Sequence, residues 1–551
     1  MRRRALARLL VAYGAVLAVL CLVMNIYASL DELTPGARQV VASRWLNGTR
    51  IARSITKRGE PLPLSAPFAD DGSVFVEEVT VAEAPLSLGT VTFPFALIAG
   101  RDGLRAELGD KTVWLTVDDL LRAEAYDHAS TFLDPSLGMG THRATVLHLL
   151  ATELGATPDE VVAKARVRRV RFERRVVGQA APPTFRGDTL DREEVKTAVR
   201  DAASYLVRGI GSDGRYRYIV DAITNQTVEG YSWPRHAGTT YFLAQAAALL
   251  DDPTIRFGCL RAAARLRDEM MKDCGAHKCI AEGPLADVGS SALAMIAFAE
   301  ILRTGADPSY RPALVQLSAF LRAQQRPDGE LMHYYDRNLG KPIDVQVLYY
   351  TGEAALALAR AHRITGEPED LRAATRALAR LSGKGWSFFG SRYYFSEEHW
   401  TCQAMADLWS RAPDAEALTF CLRWHEYQRR LQHVDGDSPF DAGGSFGFGP
   451  FVTPRVTPAS SRGEAAAAAL EVMKAEAKGP EAVAVMEDEL RRAIAFVMRA
   501  QLRPGLRHLF AQPSEVSGGF PGSAVDMKLR IDYAQHAGSM MVRWLELTER
   551  R

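Results

Sequence analysis

The feature that most restricts what this chain can fold into is an alternation of two kinds of helix. From residue 190 onward, stretches that are apolar nearly all round alternate six times with amphipathic ones. Twelve helices are expected, starting near Arg192, Gly238, Thr254, Val288, Pro308, Leu348, Pro368, His399, Asp414, Gly463, Glu481 and Asp532. The apolar set, with runs such as "TTYFLAQAAALL" and "GSSALAMIAFAEIL", has no polar face to offer water and must be buried. The other set, with runs such as "RPALVQLSAFLRAQ" and "DLRAATRALARL", carries arginine on one face. One pair recurs every 50 to 70 residues or so, which implies helical hairpins stacked around a closed ring. The fold class is therefore mainly α, an (α/α)6 toroid over residues 190–551. Its inner helices all point one way, so their N-termini and the loops before them share one face, the ring mouth.

Upstream, alternating and β-branched runs such as "SVFVEEVTVAEA", "GLRAELGDKTVWLTVDDLL" and "VRRVRFERRVV" read as strands. Two helices lie among them, one opened by the capping box of Thr157 and Glu160. The expected unit is a small α+β domain at 72–180, preceded by a linker at 31–71 that includes a short helix. Residues 1–30, "MRRRALARLLVAYGAVLAVLCLVMNIYASL", place three arginines before an apolar run. The run fits an uncleaved transmembrane anchor, and also a signal peptide cut near Ala28. On either reading the bulk of the chain lies outside the cytoplasm, in the periplasm or cell envelope.

Lys+Arg 67 against Asp+Glu 66 leaves a net charge of +1, with no basic field to draw the chain onto nucleic acid. Cys274 and Cys279, in "CGAHKC", suit a local disulfide or plain thiols better than a metal site with His277, because a lone C-x4-C lacks a second ligand pair. Cys259, Cys402 and Cys421 sit in apolar helical surroundings and read as core residues. No cofactor and no metal are assigned.

The turns "GSDGRYRY", "RPDGELMHYYDR" and "GGFPGS", each ahead of an inner helix, resemble the Gly- and aromatic-rich turns of six-hairpin and terpenoid-cyclase-like toroids. That group includes many polysaccharide hydrolases and lyases, so the resemblance implies a toroid and a carbohydrate-active enzyme, and it is architectural. The aspartate-rich DxDD acid of squalene cyclases is missing, as is the zinc triad of protein prenyltransferases. His399 and Cys402 with His536 imitate a lanthionine-cyclase zinc set without its paired Cys-His motif.

The polar groups at the inner helix starts are Arg235 and His236, Glu282 and Asp287, Asp344, Gln346 and Glu353, Glu398 and His399, Arg462 and Glu464, and Asp532, Tyr533, Gln535 and His536. Capping alone accounts for Asp287, Asp344 or Asp532 taken singly. It does not account for Arg235, His236 or His536, because a cation at a helix N-terminus opposes the dipole. A neutral histidine satisfied by one hydrogen bond is the alternative. The first and last hairpins of a toroid are neighbours, so His536 is expected beside His236 and Arg235.

The catalytic candidates are His536, His236, Asp344, Asp532 and Tyr533. Arg235, Trp233, Tyr335, Trp400 and Glu353 are the candidates for holding substrate. The loops also carry Tyr216, Tyr218, Tyr231, Tyr334, Trp386, Phe388, Phe389, Tyr393, Tyr394, Phe446 and Phe448, a rim that either stacks on sugar faces or packs the loops onto the ring. The leading expectation is an exported or membrane-tethered enzyme acting on a carbohydrate polymer of the envelope. Two carboxylates would hydrolyse it, whereas a His, Tyr and Arg set would suit a lyase or epimerase on uronate units. The rivals are a non-catalytic glycan- or protein-binding scaffold and a metal-dependent toroid acting on an isoprenoid or peptide.

Overall fold

The computed structural model describes residues 13–16, 19, 39–57, 72–89, 93–129, 139–177, 185–383, 399–434, 442–447, 453–503 and 508–549. Apart from a short two-stranded pair at Tyr126–Ala129 and Met139–Thr141, six strands come first: β1 (Gln39–Leu46), β2 (Thr49–Lys57), β3 (Val74–Pro85), β4 (Asp102–Leu108), β5 (Lys111–Leu115) and β6 (Arg166–Val176). They form one antiparallel sheet in the order β2-β1-β3-β6-β4-β5. Helices α1 (Val117–Arg122), α2 (Arg143–Leu154) and α3 (Pro158–Lys164) accompany it, and α3 opens with the expected box, Glu160 N–H donating to the Thr157 hydroxyl at 3.2 Å.

The expected linker at 31–71 is corrected by β1 and β2, which take residues 39–57 into the sheet. Asn47 and Gly48 join them with φ of 47° and 74°, the left-handed pair that a two-residue hairpin matched to strand twist requires. A Cβ on Gly48 would stand 2.8 Å from the Ala511 amide nitrogen, so the hairpin tip rests directly on a distant segment of the chain. One continuous hydrophobic cluster runs from Val41 and Trp45 of β1 through the helices to Trp544. The sheet thus shares its core with the ring. Among the described residues no helix is long and apolar enough to cross a membrane, and the N-terminal apolar run lies outside them except for residues 13–16 and 19.

Among the described residues, twelve helices of ten residues or more follow as expected. The outer set is α4 (Arg192–Arg208), α6 (Pro253–Ala264), α8 (Arg311–Gln324), α10 (Pro368–Ser382), α12 (Ala415–Arg429) and α14 (Pro480–Ala500). The inner set is α5 (Trp233–Leu250), α7 (Val288–Arg303), α9 (Tyr350–Thr365), α11 (His399–Leu408), α13 (Val456–Ala475) and α15 (Ile531–Glu549). Each inner helix packs on the next, and α15 returns to α5, closing the ring. Two inner helices start earlier than expected, α5 at Trp233 and α13 at Val456. Their Pro234 and Pro458 are tolerated because first-turn amides have no intrahelical acceptor.

Close approach fixes the bore. A Cβ on Gly463 of α13 would fall 2.0 Å from Met540 Sδ of α15, and one on Gly538 of α15 would fall 2.1 Å from the Phe242 ring of α5. Cys274 pairs with Cys279 across a short hairpin. Cys402 and Cys421, expected as separate core thiols, instead form a second disulfide that ties inner α11 to outer α12.

Candidate functional site

Outer α4, α6 and α12 start on dedicated caps, Asp191, Asp252 and Asp414 each accepting two backbone amides, whereas outer α8 and α14 have none. Inner α5, α9 and α13 have no side-chain cap, so their positive ends face the mouth uncompensated by one. Asp287 is the exception and caps α7, accepting from Ser290 N–H at 2.6 Å and the Ser290 hydroxyl at 2.7 Å.

Three successive inner helices bring His399, Glu464 and His536 together. His399 opens α11, Glu464 lies within α13, and His536 lies in the second turn of α15. His536 Nδ1 lies 2.7 Å from Glu464 Oε2, and the two imidazole centroids stand 5.3 Å apart, edge to face. The ligand atoms of all three lie within 4.8 Å of one another; His399 and Glu464 are buried and the His536 side chain is 12% exposed. Full burial lifts the Glu464 carboxyl above its ordinary range, against the pull of His536. One proton between Nδ1 and the carboxylate turns the other imidazole nitrogen toward acid–base work. Trp400 packs on both rings, with centroids 4.5 Å from His399 and 5.9 Å from His536. Gln403, one turn further along α11 from His399, is fully buried, and neither amide atom has a partner among the described residues.

A second group sits one turn nearer the rim of α15. Asp532 accepts from Arg530 Nε at 2.5 Å and Nη2 at 2.8 Å, and from Arg235 Nε at 3.3 Å. Burial opposes its ionisation, but the two guanidinium groups outweigh burial and hold the carboxyl below its ordinary range. Asp532 is therefore an ion-pair hub and not a cap. Arg235 also donates to the Tyr218 hydroxyl at 2.9 Å, and Arg530 lies 4.6 Å over the Tyr533 ring. Arg235 stays over one-third exposed, a cation at the rim.

Other expectations are corrected. His236 points away from His536 into the packing between α5 and α6. Its Nε2–H donates to the Ala262 carbonyl at 3.0 Å, and Nδ1 accepts from the Tyr231 hydroxyl at 2.6 Å. Burial pushes it down to about 4, so it is a neutral core histidine. Asp344 is exposed and holds Arg326 through both carboxylate oxygens, at 2.9 and 3.0 Å. Tyr335 is buried edge-on against Phe320, and Trp233 spends its indole N–H on Glu282 at 2.8 Å, so both pack loops. Glu353 is buried in α9 beside Tyr350, and α11 stands between its helix and that of Glu464. Glu398, Trp386, Phe388, Phe389, Tyr393, Tyr394 and Phe448 lie outside the described residues.

His399 was grouped with His536 only through the imitated zinc set, Glu464 was legible as a mouth residue but not as a partner of His536, and Gln403 was missed. The available signal was an acid inside the apolar run "RGEAAAAALEVM" and an amide four residues after a histidine in "HWTCQ". The trio has the donor set for a divalent cation, two imidazoles and a carboxylate with a position left open. Cys402, offered by the sequence for that role, is committed to its disulfide.

No protein-family model and no curated protein sequence matches the chain. Among solved structures it is similar to cellobiose 2-epimerase from Bacillus thermoamylovorans B4167, with a TM-score of 0.51 and 10% identity over 65% of this chain and 99% of that one. A D-mannose isomerase follows at a TM-score of 0.49 and 11% identity, over 66% of this chain and 100% of that one. An unsaturated glucuronyl hydrolase specific for heparin follows at 0.47 and 11%, over 65% and 99%. At these identities the likeness is one of fold, and the first of them supports the six-hairpin toroid read from the helix alternation.

Proposed function

We propose that the protein is a carbohydrate-active enzyme whose chemistry is proton transfer at a sugar carbon next to a carbonyl or carboxylate, the work of an epimerase or lyase. The observation that carries it is the His536–Glu464 hydrogen bond facing His399 inside the mouth. One imidazole takes the carbon-bound proton and the other delivers one to the opposite face or to a leaving oxygen, while Glu464 holds the His536 tautomer. Arg235 and Arg530 at the rim suit a substrate carboxylate. Hydrolysis by paired carboxylates has less support, because Asp344 is exposed, Asp532 is bound by two arginines and Asp287 is a cap.

The test is deuterium uptake from D2O into reducing and uronate-containing oligosaccharides, followed by NMR. Exchange is expected with wild type and is expected to fall about 100-fold or more in His536→Ala and His399→Ala. Glycosidic cleavage without carbon-bound exchange, or full exchange by His536→Ala, would defeat the reading.

The spacing of the trio favours one second reading, a bound divalent metal acting on the same substrate class. Elemental analysis of purified protein separates the two: about one zinc per chain, lost in His399→Ala, supports the metal. We further propose that the protein is exported and held at a membrane by its N-terminal segment. Two disulfides, Cys274–Cys279 and Cys402–Cys421, support an oxidising compartment, and the arginine-led apolar run supports the tether. Alkaline extraction of membranes from the native host checks this; recovery of the chain in the soluble cytosolic fraction would refute it.

A further inference from the structure

Away from the mouth, a cavity of about 640 Å³ opens where the strand layer meets the ring. Its size is that of a ligand pocket, of the order of 300–1,000 Å³. Trp45 of β1, His508 and Phe510 line it but are almost fully buried, with His508 and Arg122 against the Trp45 ring, so Arg208 and Arg503 supply its accessible nitrogen. No acidic residue is among the described residues that line it. A cavity of about 200 Å³ at the C-terminal ends of the inner helices offers the contrast. There the arginines are matched by acids, with Arg360 and Arg363 both paired to Asp407 and Arg303 to Glu300. That network neutralises itself; the larger cavity does not.

Among the described residues neither Arg208 nor Arg503 has a carboxylate within ion-pair distance. Arg208 donates to the Ser517 carbonyl at 2.5 Å and is otherwise exposed. Arg503 lies 4.6 Å over the Phe185 ring, donates to Gln501 Oε1 at 3.3 Å, and its Nε has no partner. Burial pulls the Arg503 guanidinium below its ordinary range, and the more distant Asp201 and Glu194 offset that only in part. His508 is fixed in orientation because its Nε2 meets the buried Asp118 carboxylate at 2.8 Å, and Asp118 is also bound by Arg174. Two arginines with no acid beside them among the described residues, in a cavity of ligand size, are elements by which proteins hold an anion.

We infer that this cavity is an accessory binding site for an anionic carbohydrate, with Arg208 and Arg503 meeting its carboxylate, sulfate or phosphate. The sugar half of this inference rests on the carbohydrate reading above, and the anionic half on the cavity alone. The site holds a charged unit of the polymer apart from the one being processed.

Isothermal titration with oligogalacturonate, a sulfated oligosaccharide, inorganic phosphate and a neutral cello-oligosaccharide tests it on the full chain. One or both charged sugars are expected to bind, more weakly as salt is raised, and to outbind the neutral sugar and phosphate. Arg208→Gln, on an exposed side chain, and Arg503→Gln should each weaken that binding about 10-fold or more, with unfolding midpoint and carbon-bound exchange on a short substrate unchanged. The carboxylated and sulfated arms identify the anion. His536→Ala should abolish exchange and leave this binding intact, which separates failure of the catalytic reading from failure of the site. Equal binding of the neutral sugar, binding of phosphate alone, no binding by any probe, or indifference to both arginine variants would overturn the proposal.

Discussion

His236 gives the sharpest test of how the ring is built. It is fully buried, with both nitrogens engaged, and burial pushes it from the ordinary 6.5 down to about 4. The unfolded chain takes up this proton near pH 6.5 and the folded protein only near pH 4. Between those values the unfolded state binds more protons, so the stability supplied by neutral His236 is complete above pH 6.5 and drains as pH falls. At about 1.4 kcal/mol for each tenfold difference in proton affinity, the drain reaches about 3 kcal/mol. Glutamine at 236 can still donate to the Ala262 carbonyl, but it offers Tyr231 no equivalent acceptor, at a cost of about 1–3 kcal/mol. Urea unfolding of wild type and His236→Gln at several pH values between 7 and 4 isolates the effect, because other titrating groups cancel in the difference. The wild-type advantage should be about 1–3 kcal/mol at pH 7 and should vanish or reverse near pH 4. A difference that stays constant with pH would refute the argument, and loss of turnover with stability intact would return His236 to the active site.

Asp344→Asn should leave turnover unchanged and shift stability by less than about 1 kcal/mol, since it removes one exposed ion pair; a large kinetic loss would contradict its placement. Gly538→Ala puts a methyl 2.1 Å from the Phe242 ring and should cost about 1–3 kcal/mol or more, read as a lowered thermal midpoint; an unchanged midpoint would show that the bore has slack. Replacing Cys402 and Cys421 together by serine removes a cross-link between residues 19 apart and should cost about 3 kcal/mol in chemical unfolding. If non-reducing peptide mapping finds both thiols free in the oxidised native protein, that pairing fails.

The sequence carried the ring because six stretches apolar nearly all round alternating with six amphipathic ones leave few other arrangements; most starts agree within three residues of those observed. The linker error arose where "RWLNGTR" hides its strand pattern behind half-buried arginines, although Asn47–Gly48 is itself a hairpin signal. The site was harder to read for a geometric reason. Neighbouring residues on a helix differ by about 100° in direction, so Arg235 reaches Asp532 on the next inner helix while His236 turns to the outer one. Periodicity places both in one turn and does not say which faces the mouth. The pairing of Cys402 with Cys421 was invisible because it joins an inner helix to an outer one across a loop, with no local spacing rule.

The seam between α15 and the start of the ring sets the order of events during folding. Arg192 of α4 reaches the Leu545 carbonyl of α15 at 2.9 Å across 353 residues, and Ser539 of α15 reaches Gln245 of α5 at 2.8 Å across 294. Contacts this distant in sequence carry the largest closure entropy and form late. The helix that makes them also delivers His536 to Glu464. A chain caught before that closure can therefore hold nearly all its helices and still be inactive. In a refolding experiment, recovery of helicity should precede recovery of turnover.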